Sequence, residues 1–155
     1  MKKVTLCFCV RDSQVLLAMK KRGFGAGKWN GYGGKVKEGE SVREATTREL
    51  KEESSLVANP ADLKQVALTH FYFAEQHVFD CDVFLLHDWT GEPVETDEMK
   101  PKWWDISNLP FGEMWVADDK WLPFIFAGEK IEAHIYFNAG GSECSMFTYK
   151  PVEFD

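Results

Sequence analysis

Apolar and polar positions divide the first third of the chain into two strands and a helix. Residues 4–10 and 14–20 are rich in apolar residues and are predicted to be strands joined at Asp12 and Ser13. A helix is predicted from Ser41 to about Ser54, because Ser41 and Glu44 have the S-x-x-E spacing of a capping box. Pro60 lies just beyond its end. The pattern thus predicts a hairpin followed by a helix.

The rest of the chain alternates between strand-like segments and a second helix. A strand pair is predicted over 64–73 and 77–87, a polar loop over 90–97, and a short strand over 99–106. Residues 118–127 are predicted to form a helix that ends at Gly128, and residues 131–138 and 144–150 a last hairpin. No regular βαβ alternation appears, so we expect an α+β fold in which helices cover a mixed sheet.

Length and composition fit one globular domain over residues 1–155. Apolar residues make up 45% of the chain and aromatic residues 14%, which excludes a disordered class. The net charge of −7 disfavours nucleic acid as a partner, but a divalent metal ion can bridge an acidic protein and a polyphosphate. The sequence contains no membrane-length apolar span and no signal-peptide pattern. Four cysteines without metal-ligand spacing suit buried thiols. We expect a monomer in the cytoplasm, with no membrane partner.

Glutamates cluster on the predicted helix, just after a glycine-rich stretch. Glu49, Glu52 and Glu53 fall on one helical face, where their like charges repel unless a cation binds. Carboxylates suit Mg²⁺, or Mn²⁺, rather than zinc. Arg48 is four residues before Glu52 and is expected to orient it through a bidentate pair. A solvated, salt-bridged helix face is the alternative. Residues 23–34 contain six glycines, which bring backbone close to a neighbour or turn tightly.

The segment from Gly34 to Leu56 resembles the Nudix box, G-x5-E-x7-R-E-U-x-E-E-x-G-U, with Ser55 in place of the late glycine. The resemblance implies a Nudix fold, a mixed β-sheet between α-helices, and an enzyme that cleaves a nucleoside triphosphate to the monophosphate and pyrophosphate. It implies divalent metal ligands in the box and a second acid from a distant loop. These ligands would be Glu49, Glu52, Glu53, Glu98 and the carbonyl of Gly33 or Gly34, with Glu40 and Arg48 holding the box together. The general base stays open between Glu49 and Glu98, and Glu98 alone is equally a solvated loop acid.

Three further segments, residues 20–36, 93–99 and 114–119, are similar to the oxidised-purine nucleoside triphosphatase branch of that family. This similarity implies that 8-oxo-dGTP, and also 2-oxo-dATP, are substrates. Phe79 stands where the branch has a methionine, and the branch's Trp-Pro-Asp-Asp is one residue longer here. The implied substrate-binding residues are Thr5, Lys20, Phe24, Asn30, Phe71, Phe73, Phe79, Trp115, Asp118 and Asp119.

Asp118 and Asp119 form an acid pair among aromatic and apolar residues. Two such neighbours do not both ionise cheaply, so one can keep its proton and donate while the other accepts. This combination can read the Watson–Crick edge of a purine. The alternative is that Asp118 caps the helix that follows. Two rival functions also stay open: a Nudix hydrolase of ordinary or alkylated purine triphosphates, and a nucleotide-binding Nudix module without turnover.

Overall fold

Nine strands and two α-helices make up most of the described chain, residues 2–154 of a computed structural model. The predicted hairpins, both helices and the capping box at Ser41 are confirmed. The elements follow the order β1 (Lys2–Arg11), β2 (Gln14–Lys20), β3 (Trp29–Asn30), β4 (Tyr32–Lys35), α1 (Val42–Ser54), β5 (Lys64–Phe73), β6 (Gln76–Leu86), β7 (Met99–Asp105), α2 (Asp118–Phe126), β8 (Ile131–Phe137) and β9 (Cys144–Pro151).

The described strands form one mixed sheet in the order β3-β2-β1-β6-β5-β8-β9, with β4 paired to β1 and β7 paired to β2. The pairs β1–β6 and β5–β8 are parallel, and the other neighbours are antiparallel. The predicted α+β class with a mixed sheet is therefore confirmed. The short strands β3 and β4 lie inside the glycine-rich stretch, for which only close approach or tight turns were expected.

The two helices cover opposite faces of the sheet. Successive side chains of a strand point to opposite sides, so neighbouring residues of β1 pack against different helices. Phe8 of β1 packs in a core cluster with Trp121, Leu122 and Ile125 of α2. Its neighbours Cys7 and Cys9 pack in a second cluster with Leu50 of α1. The α2 face and the α1 face thus each enclose a separate apolar core.

The helix α1 is the longer of the two, with 13 residues. Within residues 2–154, no helix combines the length and the apolar character that crossing a bilayer requires.

Candidate active site

Arg48 links the helix α1, which carries the glutamates, to the preceding loop through hydrogen bonds. Its Nε and Nη2 donate to the two carboxylate oxygens of Glu40 at 2.8 and 2.7 Å, and Nη1 donates to Glu49 at 3.0 Å and to Glu52 at 3.2 Å. The hydrogen bonds from Arg48 are the main reason that the pKa of Glu40 falls to about 2.

The expectation of a bidentate pair between Arg48 and Glu52 is wrong. The Lys37 backbone N–H donates to Glu40 at 2.8 Å and holds that carboxylate against the guanidinium edge, so the bidentate partner is Glu40. Glu52 receives one longer bond and has a side chain that is 53% exposed.

Gly33 and Gly34 of β4 let the strand pass between β1 and the acidic helix. They pair with Leu6 and Thr5 of β1. A Cβ atom at Gly34 would lie 2.6 Å from the carboxylate of Glu49, and one at Gly33 would overlap the Thr5 carbonyl oxygen. Position 33 therefore requires glycine, because the clash there is with backbone, whereas a side chain at position 34 would displace the Glu49 carboxylate.

Glu53 is partly buried next to β4. The Gly33 N–H donates to its Oε1 at 3.0 Å. Burial nevertheless raises the pKa of Glu53 to about 8, and the negative charges of Glu49 and Glu98 act in the same direction. A carboxylate in such surroundings gains from a nearby cation, so this group of acids fits a hard divalent ion with oxygen ligands.

An acidic cavity joins α1 to the loop before β7. Glu49, Glu52, Glu53 and Glu98 all line it, as do Arg22, Thr96 and Asp97. The loop is tied to the glycine-rich segment by the Lys21–Glu95 ion pair at 2.5 Å and the Arg22–Glu98 ion pair at 3.5 Å. The fold thus brings Glu98, which is distant in sequence, to the predicted metal ligands.

A second pocket, which has seven aromatic residues in its lining and is called the aromatic pocket, adjoins the acidic cavity, and Glu53 lines both. Nine of the ten expected substrate-binding residues line this aromatic pocket; they are Thr5, Lys20, Phe24, Asn30, Phe71, Phe73, Phe79, Trp115 and Asp118. The hydroxyl of Thr5 is already hydrogen-bonded with that of Thr46. Phe24 packs on Trp115 with ring centres 5.1 Å apart, although its side chain is 67% exposed.

Asp118 places an unusual carboxyl group in the aromatic pocket. Its Oδ1 accepts from Trp121 Nε1 at 3.1 Å, while its buried Oδ2 has no partner in the described chain. Burial is the largest cause that raises the pKa of Asp118 to about 7. The helix-cap alternative is wrong, because Ala117, and not Asp118, is the N-cap residue of α2.

Asp119 does not join Asp118 in the pocket. It is exposed at the start of α2 and does not line the aromatic pocket. Consecutive helical residues are about 100° apart around the axis, so two adjacent acids on a helix point in different directions.

Sequence reasoning missed several residues that line the aromatic pocket. Lys28 lies 5.4 Å from the Trp115 ring centre, and Trp121, Cys81 and Phe137 also line the pocket. Trp121 lies three residues after Asp118, so the helical spacing could have indicated it. Phe137 and Cys81 come from distant strands and carried no local signal.

Comparison with known proteins assigns the chain to a family. Residues 1–125 match the model of the NUDIX domain. The chain is 43% identical over 137 residues to an oxidized purine nucleoside triphosphate hydrolase of Danio rerio, covering 88% of this chain and 86% of that protein. It is 40% identical over 152 residues to the protein of the same description from Mus musculus, covering 97% and 94%. This chain belongs to the NUDIX family.

A solved structure of a MutT protein from Bacillus halodurans superposes with a TM-score of 0.82 and covers 96% of this chain and 97% of that one. At 23% identity, this likeness concerns the fold alone. The resemblance inferred from the Nudix box, and the fold it implied, are confirmed.

Proposed function

We propose that this chain is a pyrophosphohydrolase that cleaves oxidised purine nucleoside triphosphates, 8-oxo-dGTP first among them and 2-oxo-dATP as a second substrate, to the monophosphate and pyrophosphate. The observation that carries the proposal is the adjacency of the two cavities: an acidic cavity shares the lining residue Glu53 with an aromatic pocket that contains Asp118. The relatives in Danio rerio and Mus musculus, which bear the same description, support this substrate class.

The acidic cavity is the part that we assign to the triphosphate. Glu49, Glu52, Glu53 and Glu98 would hold Mg²⁺, with Mn²⁺ as a substitute, and the Gly33 or Gly34 carbonyl would assist. When bound, the divalent ion supplies positive charge to the phosphate oxygens and makes a water molecule easier to deprotonate. Arg48 keeps Glu49 and Glu52 in place through its hydrogen bonds. Glu49, or else Glu98, accepts the proton of the attacking water.

The aromatic pocket is the part that we assign to the base. Trp115, Phe24 and the phenylalanines of β5 offer flat apolar surfaces for a purine. Asp118 can donate when it holds its proton and accept when it does not, and a pKa of about 7 makes both forms available near neutral pH. Lys20 lines the same pocket as Glu53 and is placed to meet the phosphate chain. In this assignment the exposed Asp119 does not touch the base.

The products of the reaction test the proposed bond. We expect purified protein with Mg²⁺ and 8-oxo-dGTP to release pyrophosphate and 8-oxo-dGMP, detected by ³¹P NMR and chromatography. Glu52→Gln should lower kcat at least about tenfold. Glu38→Gln, at an exposed glutamate that lines neither cavity, should leave kcat unchanged.

Release of orthophosphate and a diphosphate would place the cleavage at another bond. Folded protein that binds the nucleotide without releasing pyrophosphate would be a binding module, and the proposal of an enzyme would be wrong.

A further inference from the structure

A group of histidines and acids lies on the sheet face that points away from the aromatic pocket. Phe71 and Phe73 of β5 line that pocket, so the alternating His70 and Tyr72 point to the opposite side. We call this group the histidine face; it consists of His70, His77, Asp80, Glu132 and His134. None of its members lines the acidic cavity or the aromatic pocket.

A β-bulge brings three of these side chains together. His70 of β5 pairs with Asp80 of β6, and Phe71 pairs with Phe79, but Tyr72 then pairs with His77. The register skips Val78, so His77 comes to the same face as Asp80 instead of the opposite one. As a result, Asp80 Oδ1 lies 2.5 Å from His70 Nδ1 and 2.6 Å from His77 Nε2.

We propose that His70 Nδ1, His77 Nε2 and Asp80 Oδ1 form a binding site for a zinc ion. Imidazole nitrogen and carboxylate oxygen are established zinc ligands, and three protein ligands leave a fourth, tetrahedral position for water. The three ligand atoms all lie within 4.8 Å of one another. Zinc–ligand bonds separate the ligand atoms by about 3.3 Å. The His77 side chain is 32% exposed, and it must move away from Asp80 to admit the ion.

The surroundings of His70 are compatible with a zinc ligand. Its second ring nitrogen, Nε2, lies 2.7 Å from Glu132 Oε2 on β8. Zinc would displace the proton that Nδ1 shares with Asp80, whereas Nε2 keeps its proton and its hydrogen bond to Glu132. A carboxylate that orients a metal-binding histidine in this way is the usual arrangement at zinc sites.

His134 supports His70 from the other side. The two rings stack with centres 4.6 Å apart, and Tyr72 Oη lies 2.8 Å from His134 Nδ1. The orientation of His70 is therefore set by β8 and β5 before any ion arrives, which lowers the entropic cost of binding.

Calorimetric titration with zinc chloride tests the site. Chelator-treated protein is first saturated with Mg²⁺, because the glutamates of the acidic cavity also attract cations. We expect one zinc ion per chain whose affinity falls at least about tenfold in His77→Ala and in Glu132→Ala. His87→Ala is the matched control: of the four histidines in the chain, His87 alone is outside the histidine face, and it is exposed, so zinc affinity should stay unchanged.

Two results would overturn the proposal. One is identical zinc titration of the wild type and folded His77→Ala. The other is loss of binding in His134→Ala with full binding in His77→Ala, which would place the ion between His70, Glu132 and His134 instead. Should a variant fail to fold, the wild type decides: zinc must shift the ring NMR signals of His70 and His77 and spare those of His87. None of these measurements depends on pyrophosphate release, so they test the zinc site independently of the proposed enzymatic activity.

Discussion

Asp118 shows how the surroundings of one residue set its chemistry. Its neighbour Asp119 has the same side chain, yet Asp119 is exposed, whereas Asp118 is 5% exposed and has an oxygen without a partner among residues 2–154. The sequence indicated an acid pair in an apolar setting, but it did not indicate that the helix would separate the two. The burial that raises the pKa of Asp118 depends on side chains from several strands, which no local pattern reveals.

The raised pKa of Asp118 predicts a pH-dependent stability. In the unfolded chain an aspartate ionises near pH 4, whereas in the folded chain Asp118 ionises at about 7. Between these two pH values, ionisation favours the unfolded state. The stability that the neutral acid contributes is therefore fully present below pH 4 and is progressively lost as the pH rises through 7. Asp118→Asn cannot ionise. The free energy of unfolding of Asp118→Asn minus that of the wild type should therefore increase by up to about 4 kcal/mol between pH 4 and pH 8.

Urea denaturation at pH 4, 6 and 8 measures this difference. Asp119→Asn is the control and should follow the wild type at each pH, since it changes an exposed residue. A constant difference between Asp118→Asn and the wild type would contradict the raised pKa.

Ser55 stands where the family pattern has glycine, and its backbone explains the preference. It is the C-cap of α1 with a φ of 71° and a ψ of 4°, in the left-handed region, and its N–H donates to the Lys51 carbonyl. An L-residue with a side chain pays about 1 kcal/mol for this conformation. The sequence showed that Ser55 departs from the family pattern. The backbone conformation of Ser55 explains why that departure lowers the stability of the fold.

Ser55→Gly should therefore raise the free energy of unfolding by about 1 kcal/mol and leave pyrophosphate release unchanged. Ser55→Ala, which keeps a Cβ atom, should bring no such gain. Chemical denaturation monitored by circular dichroism measures both. Equal stability of the glycine and alanine variants would mean that the backbone strain is absent.

At the scale of elements, the long amphipathic segments were predictable and the short ones were not. The helix α1 was readable from its capping box, and the strands β1, β2, β5 and β6 from their apolar runs. The strands β3 and β4 have two and four residues and lie in a glycine-rich segment, so their pairing depends on β1 and β2 and not on local preference. The bulge at Val78 could not be predicted from the sequence either, because the pairing register depends on two strands and not on one local segment.

The close approach of β4 to α1 predicts that Gly34→Ala damages the acidic cavity. The new Cβ atom would lie 2.6 Å from the Glu49 carboxylate and must displace it. We expect kcat for pyrophosphate release to fall at least about tenfold, because small displacements of a reacting group are costly. Gly140→Ala is the control: its Cβ atom would meet no atom of the described residues within 4 Å, so activity should be retained. Full activity in folded Gly34→Ala would argue against a catalytic role for Glu49.

At the scale of the whole molecule, the sheet brings together groups that the sequence keeps apart. The box acids of α1 follow from a local motif, whereas Glu98 reaches them through the pairing of β2 with β7 and the ion pairs of the intervening loops. The base pocket combines β1, β2, β5, β6 and α2 with the glycine-rich loop. The sequence predicted its lining through family resemblance, since spacing alone does not place Phe71 beside Asp118.

The same sheet carries the histidine face on its other side. The strands β5 and β6 line the aromatic pocket with Phe71, Phe73 and Phe79, and the opposite side holds His70 and Asp80. The two sites thus share strands but no side chain, and variants of one can be measured independently of the other.

Discrimination between damaged and ordinary nucleotides tests the central claim most directly. The measurement is kcat/KM for pyrophosphate release with Mg²⁺ on 8-oxo-dGTP, 2-oxo-dATP, dGTP, dATP and an O6-alkylated dGTP, under identical conditions. A pocket selective for oxidised purines predicts a higher kcat/KM for 8-oxo-dGTP than for dGTP. Equal values for 8-oxo-dGTP and dGTP, or a preference for the ordinary or alkylated nucleotide, would contradict the proposed substrate.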